Sequence, residues 1–302
     1  MELFALFPAA LFILAAFLGL VVGSFLNVVA YRIPIMLELA WREQCAELAG
    51  GEPQTPPHGP AQATPHGGGR TFNLWWPPSA CPSCGTRIAP WHNIPVLSFL
   101  WLRGKCASCG HRISPRYPVV EASAALAALV VAYVFGPTWQ TAAGLVLTWT
   151  LLALTLIDLD HKLLPDSLTQ PLLWAGLLLA LFTVDGAPVF ADLRSSVIGA
   201  AAGYLTLWCV YHVFKLATGK EGMGYGDFKL LAAIGAWLGW QMLPLVILLS
   251  AAVGSVVGIG LIALKGQSRH QPIPFGPYLA GAGWIAMLWG EEIVAWYARG
   301  ML

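Results

Sequence analysis

The chain has 302 residues, 57% of them hydrophobic and only 10% charged, with 14 tryptophans and a formal net charge of +1. Such a balance cannot cover one or two cores with a water-compatible surface, which excludes an ordinary soluble globular protein and points to a multi-pass membrane protein. The near-neutral total gives no reason to expect a nucleic-acid partner; what informs is where the charges fall.

Taken in chain order, apolar stretches able to span a bilayer, or nearly so, run over 4–31, 118–135, 138–157, 168–184, 195–215, 228–243, 244–264 and 276–298. They predict eight helices. The first has no basic leading region and runs straight into Arg32, so it is not expected to be a cleavable signal peptide. The stretch 228–243 is short for a span, and around "WQMLP" (240–244) it could instead merge with its neighbour as one broken helix. Between the first two spans lies the only large extramembrane segment, 32–117, in which "GGEPQTPPHGPAQATPHGGG" (50–69) has the Pro, Gly and small polar composition of a flexible excursion.

Lys and Arg set the orientation. Fourteen of the sixteen fall in alternate loops, with only Arg194 and Arg299 on the opposite face. The positive-inside rule then places both termini in the periplasm, and the 32–117 segment in the cytoplasm together with the loops near 158–167, 216–228 and 265–275.

Within that segment, Cys81-x-x-Cys84 and Cys106-x-x-Cys109 are each followed by glycine, in "CPSCG" and "CASCG". A CxxC turn lets two thiolates approach one ion, and the following glycine permits the positive φ of a tight turn. Two such knuckles complete a tetrahedral four-sulfur site for structural zinc. A disulfide or redox role and an iron–sulfur site are the other readings; a reducing cytosol disfavours the disulfide. Cys209 is expected to be a small buried apolar residue, and Cys45 carries no signal of its own.

Carboxylates recur at the predicted cytoplasmic ends of helices. Asp158 and Asp160 stand about 200° apart on a helix, so only one can face a given partner. Asp158 lies deeper, against Leu156 and Ile157, whereas Asp160 adjoins His161 and Lys162. Asp166, after Pro165, reads as a helix N-cap or first-turn acid. Asp227, in "GMGYGDFKLL" (222–231), enters from another helix at matching depth. Two carboxylates brought together in a partly desolvated place share a proton, as an aspartic protease requires. Gly222, Gly224 and Gly226 would leave room for a substrate strand beside the acid. The plainer reading is that Asp227 caps a helix starting at Phe228, and a proton- or cation-coupled transporter would also use paired intramembrane acids.

Several blocks in one order resemble the prepilin peptidase, or type IV leader peptidase, family of GxGD intramembrane aspartic proteases: "GSFLNVVAYRIP" (23–34), the two knuckles with "NIPVLSFLWLRGKC" between them, "ISPRYPVVE" (113–121), "IDLDHKLLPD" (157–166), "GMGYGDFKLLAAIGAWLGW" (222–240) and "PFGPYLA" (274–280). The resemblance implies that Asp158 and Asp227 are the catalytic pair, Asp158 standing seven residues before Pro165. It implies type IV prepilins and type II secretion pseudopilins as substrates, cut after a glycine where a basic leader meets an apolar helix at the inner membrane. It also implies N-methylation of the new terminus with S-adenosylmethionine, although no Rossmann-type glycine motif is visible.

The expected architecture is an all-α polytopic protein of about eight transmembrane helices in the lipid bilayer, with a zinc-ribbon-like four-cysteine domain inserted after the first. The boundaries are a first helix at 1–31, a cytoplasmic domain at 32–117 and a peptidase core at 118–302. Glu121 is expected as a first-turn acid, or as a contact for methyl transfer or the leader; Arg32 and Arg116 read as interface anchors, and His92, His111 and His161 as loop residues.

Overall fold

A computed structural model describes residues 8–50, 72–265 and 273–300. All but the first residue of the predicted excursion 50–69 lies outside the described residues. The helices are α1 (Pro8–Leu48), the short α2 (Leu97–Trp101), α3 (Arg116–Phe135), α4 (Trp139–His161), α5 (Asp166–Leu179), α6 (Leu193–Thr218), α7 (Tyr225–Leu238), α8 (Leu243–Lys265) and α9 (Gly276–Gly300). A two-residue antiparallel hairpin, β1 (Thr183–Val184) and β2 (Ala187–Pro188), joins α5 to α6.

Each of the eight predicted apolar stretches carries a helix among the described residues, and the protein is an all-α polytopic membrane protein. Among the described residues five helices are long and apolar enough to cross a bilayer: α1, α3, α4, α6, and α8 with its leading turn. At 14 residues each, α5 and α7 extend about 21 Å, short of a hydrocarbon core of about 30 Å. Length and composition therefore support five of the eight as spans. Nor do α7 and α8 merge: Gly239, at φ 81°, ends α7, and a 3-10 turn over Trp240–Met242 precedes α8.

The described chain divides into two compact units, Ile13–Leu129 and Val130 onward with the first few residues. In the first, α1 lies against α3 through Gly19 and Gly23: a Cβ added there would stand 2.5 Å from the Ala125 Cα and 2.7 Å from the Glu121 Cα. Small residues four apart let two backbones meet, which matters where lipid is as apolar as the side chains. The first helix runs to Leu48 rather than ending at 31. Pro34 removes a single helical hydrogen bond, and the following "IMLELAWREQCAEL" consists largely of good helix formers. Arg32, expected at the membrane surface, is buried; its guanidinium donates to the carbonyls of Asn73 (2.8 Å) and Pro77 and lies over the Phe72 ring.

The second unit is built around α7. Every residue from Asp227 to Trp237 except Lys229 is buried, as a helix apolar on all faces must be. The backbones of Gly199 in α6 and Gly235 in α7 touch, and a Cβ on either would overlap the other's carbonyl oxygen. Trp237 Nε1 donates to the Leu172 carbonyl of α5 at 2.7 Å, and the Ser196 hydroxyl of α6 donates to the Ala236 carbonyl. Gly283 of α9 seats against Ile234. One end of this unit gathers the C-terminal end of α4 and the N-terminal ends of α5, α7 and α9, tied by Lys229 to Asp166 (2.7 Å) and by the Gly276 amide to Asp158 (3.0 Å). At the other end Gln140 donates to the Val189 carbonyl and Gln241 to the Ser195 hydroxyl.

Candidate active site and four-cysteine cluster

Asp158 sits one turn from the C-terminus of α4, where Lys162 turns to φ 54° and donates its amide to the Asp158 carbonyl. Its side chain is buried, and Oδ2 accepts the Gly276 N–H, the first amide of α9. A carboxylate at a helix N-terminus satisfies a donor that the helix leaves unpaired. The backbone comes so close that a Cβ on Gly276 would lie 2.6 Å from that oxygen. Gly276 has no role in the sequence-based reading; the available signal is "PFGP", a turn sequence directly before an apolar helix.

Asp227 is also buried, in the first turn of α7. The helix begins at Tyr225 with Gly224 as N-cap, three residues before Phe228, so Asp227 is not the N-cap. Leu164 connects the two acids: its side chain meets both Gly226, beside Asp227, and Gly276, beside Asp158. The carboxylates of Asp158 and Asp227 are close enough to interact electrostatically. Two side chains 69 positions apart are thus held at one end of the bundle by three different helices.

The glycines before Asp227 divide differently from expectation. Gly226 packs on Leu164 and Gly222 on the Phe214 ring, at 2.7 and 2.8 Å for an added Cβ. Of the three, only Gly224 leaves space beside the acid: a Cβ added there would meet nothing closer than the Asp227 Oδ2 at 3.8 Å.

The remaining acids go elsewhere. Asp160 is exposed, and Asp166 begins α5 and binds Lys229 through both oxygens at 2.7 Å. Glu121 is not in the first turn of α3, which starts at Arg116; it is buried, and its Oε2 accepts the Val96 N–H at 2.7 Å. Arg116, His111 and His161 are exposed and His92 is half-buried in the 3-10 turn Pro90–Asn93. Cys209 is exposed on the surface of α6 rather than buried, and Cys45 is exposed on α1.

The two knuckles fold alike. Gly85 and Gly110, at φ 69° and 70°, donate their amides to the carbonyls of Cys81 and Cys106, and isolated bridges Ala80–Arg87 and Lys105–Arg112 close each turn. All four Sγ atoms lie within 4.8 Å of one another, with Cys81 to Cys109 at 3.8 Å. Four sulfurs about 2.3 Å from a tetrahedral zinc stand about 3.8 Å apart, so the set fits that ion. Hydrogen bonding with the Thr86 side chain and amide pushes the Cys84 thiol down to about 6, and the amides of Cys109 and Ser108 lower Cys106. The His111 amide favours the Cys109 thiolate, yet desolvation and the neighbouring sulfurs push it up to about 11. Four thiols gathered this closely are what a dication binds as thiolates, releasing their protons. Zinc analysis of the purified protein is expected to give about one ion per chain, lost in Cys81→Ser; a metal-free protein from zinc-replete cells contradicts the site.

Residues 17–135 match the bacterial peptidase A24 N-terminal domain, and residues 145–259 match the type IV leader peptidase family. The prepilin leader peptidase/N-methyltransferase of Pseudomonas aeruginosa is 52% identical over 292 residues, covering 97% of this chain and 95% of that protein. Its namesake in Aeromonas salmonicida is 52% identical over 295 residues, covering 98% and 96%. That of Dichelobacter nodosus is 47% identical over 286 residues, covering 95% and 94%. No solved structure matches the chain.

Proposed function

The chain belongs to the type IV leader peptidase family, and on that premise we propose that it is an aspartic endopeptidase that removes the basic leader of type IV prepilins and type II secretion pseudopilins, cutting after glycine, and then N-methylates the new terminus. The observation that carries the reading is the pair of buried carboxylates, Asp158 and Asp227, held at one end of the bundle by α4, α7 and the α9 N-terminus. In the hydrolysis, the ionised member takes a proton from water as its oxygen attacks the scissile carbonyl, and the protonated member donates to that carbonyl oxygen. Collapse of the tetrahedral intermediate breaks the C–N bond, and the departing amine takes a proton from the pair.

The site is proposed to face the cytoplasm, in an inner-membrane protein with both termini periplasmic and the zinc-bearing segment cytoplasmic. Support comes from charge: Lys162, Lys215, Lys220 and Lys229 all flank the helix ends nearest the two acids. A leader would meet the pair where it leaves the bilayer. The proposed division remains a first helix over 1–31, a cytoplasmic domain over 32–117 and a peptidase core over 118–302, with α1 continuing helically into the second of these.

Zinc, held by Cys81, Cys84, Cys106 and Cys109, would staple its domain, since four thiolates leave no open position for chemistry. S-adenosylmethionine would supply the methyl group. Two apolar clefts, one of about 490 Å³ lined by Ile198, Ala202, Thr206 and Leu248 and another lined by Gly254, Ile273 and Tyr278, offer its charged ends no acidic partner. They do not fit it.

The coupled-transporter alternative is not supported: the relatives are peptidases by name, and both acids lie at helix ends, not near the midplane where transport sites lie. Solubilised protein, with no vesicle or gradient, is expected to release the leader from a synthetic prepilin and, given S-adenosylmethionine, to add one methyl group to the product. An intact peptide bond under these conditions sinks the peptidase reading.

A further inference from the structure

Between the two knuckles the chain presents an apolar face that none of the described residues covers. Ile94, Leu97, Leu100 and Trp101 are 44, 64, 65 and 80% exposed, and positions 97, 100 and 101, three and four apart on α2, fall on one side of that helical turn. The site chemistry described above uses none of them.

Three further observations say what covers this face. The first is depth. Val96 is held by the Glu121 carboxylate, which accepts its N–H at 2.7 Å and is also reached by the Ser24 hydroxyl. Glu121 lies five residues beyond Arg116, about 7.5 Å along the axis, inside a 20-residue helix long and apolar enough to span. The segment is therefore anchored below the rim of a bilayer-spanning helix, level with exposed Val119. Val96 itself adopts φ 59°, ψ −48°, a conformation that costs a β-branched residue energy and needs a partner to hold it.

The second is backbone pairing. The amides of Val96, Leu97, Ser98, Leu100, Leu102, Arg103 and Gly104 all donate to acceptors within the protein, which irregular chain entering an apolar layer requires. The third is charge. No acidic residue occurs from 53 to 120, while Arg87, Arg103, Lys105, Arg112 and Arg116 are exposed. Such a cluster beside tryptophan suits an anionic headgroup layer; it would repel a basic leader peptide.

We propose that residues 94–101 form an interfacial membrane element, with Leu97, Leu100 and Trp101 inserted at the boundary of headgroups and acyl chains and Glu121 as its tether. The partner is the lipid surface, and the inference stands independently of the peptidase reading.

Photocrosslinking in the full-length protein tests it. p-Benzoylphenylalanine is placed singly at 97, 100, 126 or 83, and each protein is irradiated in nanodiscs of phosphatidylethanolamine and phosphatidylglycerol. Leu126 is an exposed residue of α3, and Ser83 an exposed residue of the first knuckle. Adducts of phospholipid mass are expected at 97 and 100 with yields within about threefold of that at 126, and at least about fivefold above that at 83. Yields at 97 and 100 no better than at 83 overturn the proposal, as does a crosslink to added prepilin or to a second copy in place of lipid. Glu121→Ala should lower the 97 and 100 yields at least about threefold and leave 126 unchanged, while Glu121→Gln, which keeps an acceptor for Val96, should preserve them. Unchanged yields in Glu121→Ala remove the tether; if that variant fails to fold, the comparison of 97 and 100 with 83 still decides whether the face meets lipid.

Discussion

Asp158→Asn and Asp227→Asn are each expected to lower prepilin cleavage by a factor on the order of 10³ or more, because an amide can neither take the proton of the attacking water nor give one to the carbonyl. The substitution is close to isosteric, so the fold should survive. In Asp158→Asn the amide oxygen can still accept the Gly276 N–H that the carboxylate accepts now. Removal of both acids should cost little more than removal of one, since the pair acts as a unit. Asp160 is exposed and Asp166 is engaged with Lys229; their asparagine variants should cleave within about threefold of wild type, as surface charges away from the chemistry do. Single-turnover cleavage of a prepilin by purified variants, with circular dichroism as the check on folding, gives the answer. A folded Asp158→Asn that cleaves normally while Asp160→Asn is dead would show that the wrong member of the Asp158–Asp160 doublet has been assigned.

How much of this arrangement was legible follows from the range of the interactions that make it. The eight helices announce themselves as local apolar runs, and the burial of α7 follows from its being apolar on every face beyond its N-terminal end, which carries Asp227 and Lys229. The four cysteines were legible because a knuckle is written in five consecutive residues, "CPSCG" and "CASCG". Other features depend on partners far away in the chain. Arg32 read as a surface anchor at the end of the first helix, yet its guanidinium finds carbonyls at Asn73 and Pro77, 41 and 45 positions on. Glu121 read as an ordinary first-turn acid, since nothing local shows that it would bind the amide of Val96. Gly276 meets Asp158 across 118 residues. The glycines near Asp227 carried a correct signal, close approach, with an incorrect object: two of the three receive Leu164 and Phe214, side chains of this protein and not of a substrate.

Gly235→Leu is expected to be the most damaging single substitution in the transmembrane core. Gly235 and Gly199 bring the backbones of α7 and α6 into contact, with Gly203 a turn further along, where an added Cβ would stand 2.6 Å from the Leu231 carbonyl oxygen. A leucine at 235 has nowhere to turn, because α5, α6 and α9 already enclose that helix through Trp237, Ser196 and Ile234. Separating the helices would break the hydrogen bonds from Ser196 to Ala236 and from Trp237 to Leu172. Overpacking with loss of such contacts costs on the order of 3 kcal/mol or more, which for a chain of this size lowers Tm by roughly 5–10 °C. Gly235→Ala should fall between wild type and leucine, since even one methyl group overlaps the Gly199 carbonyl. Gly260 of α8, where an added Cβ would meet nothing within 4 Å, supplies the control: Gly260→Ala should melt like wild type. Cleavage is expected to fail along with stability in Gly235→Leu, because Asp227 rides on the same helix, eight residues or about 12 Å away, and is positioned only as well as α7 is. A Gly235→Leu protein that melts with wild type in detergent would show that α6 and α7 do not meet backbone to backbone, and the rigid placement of Asp227 would then need another cause.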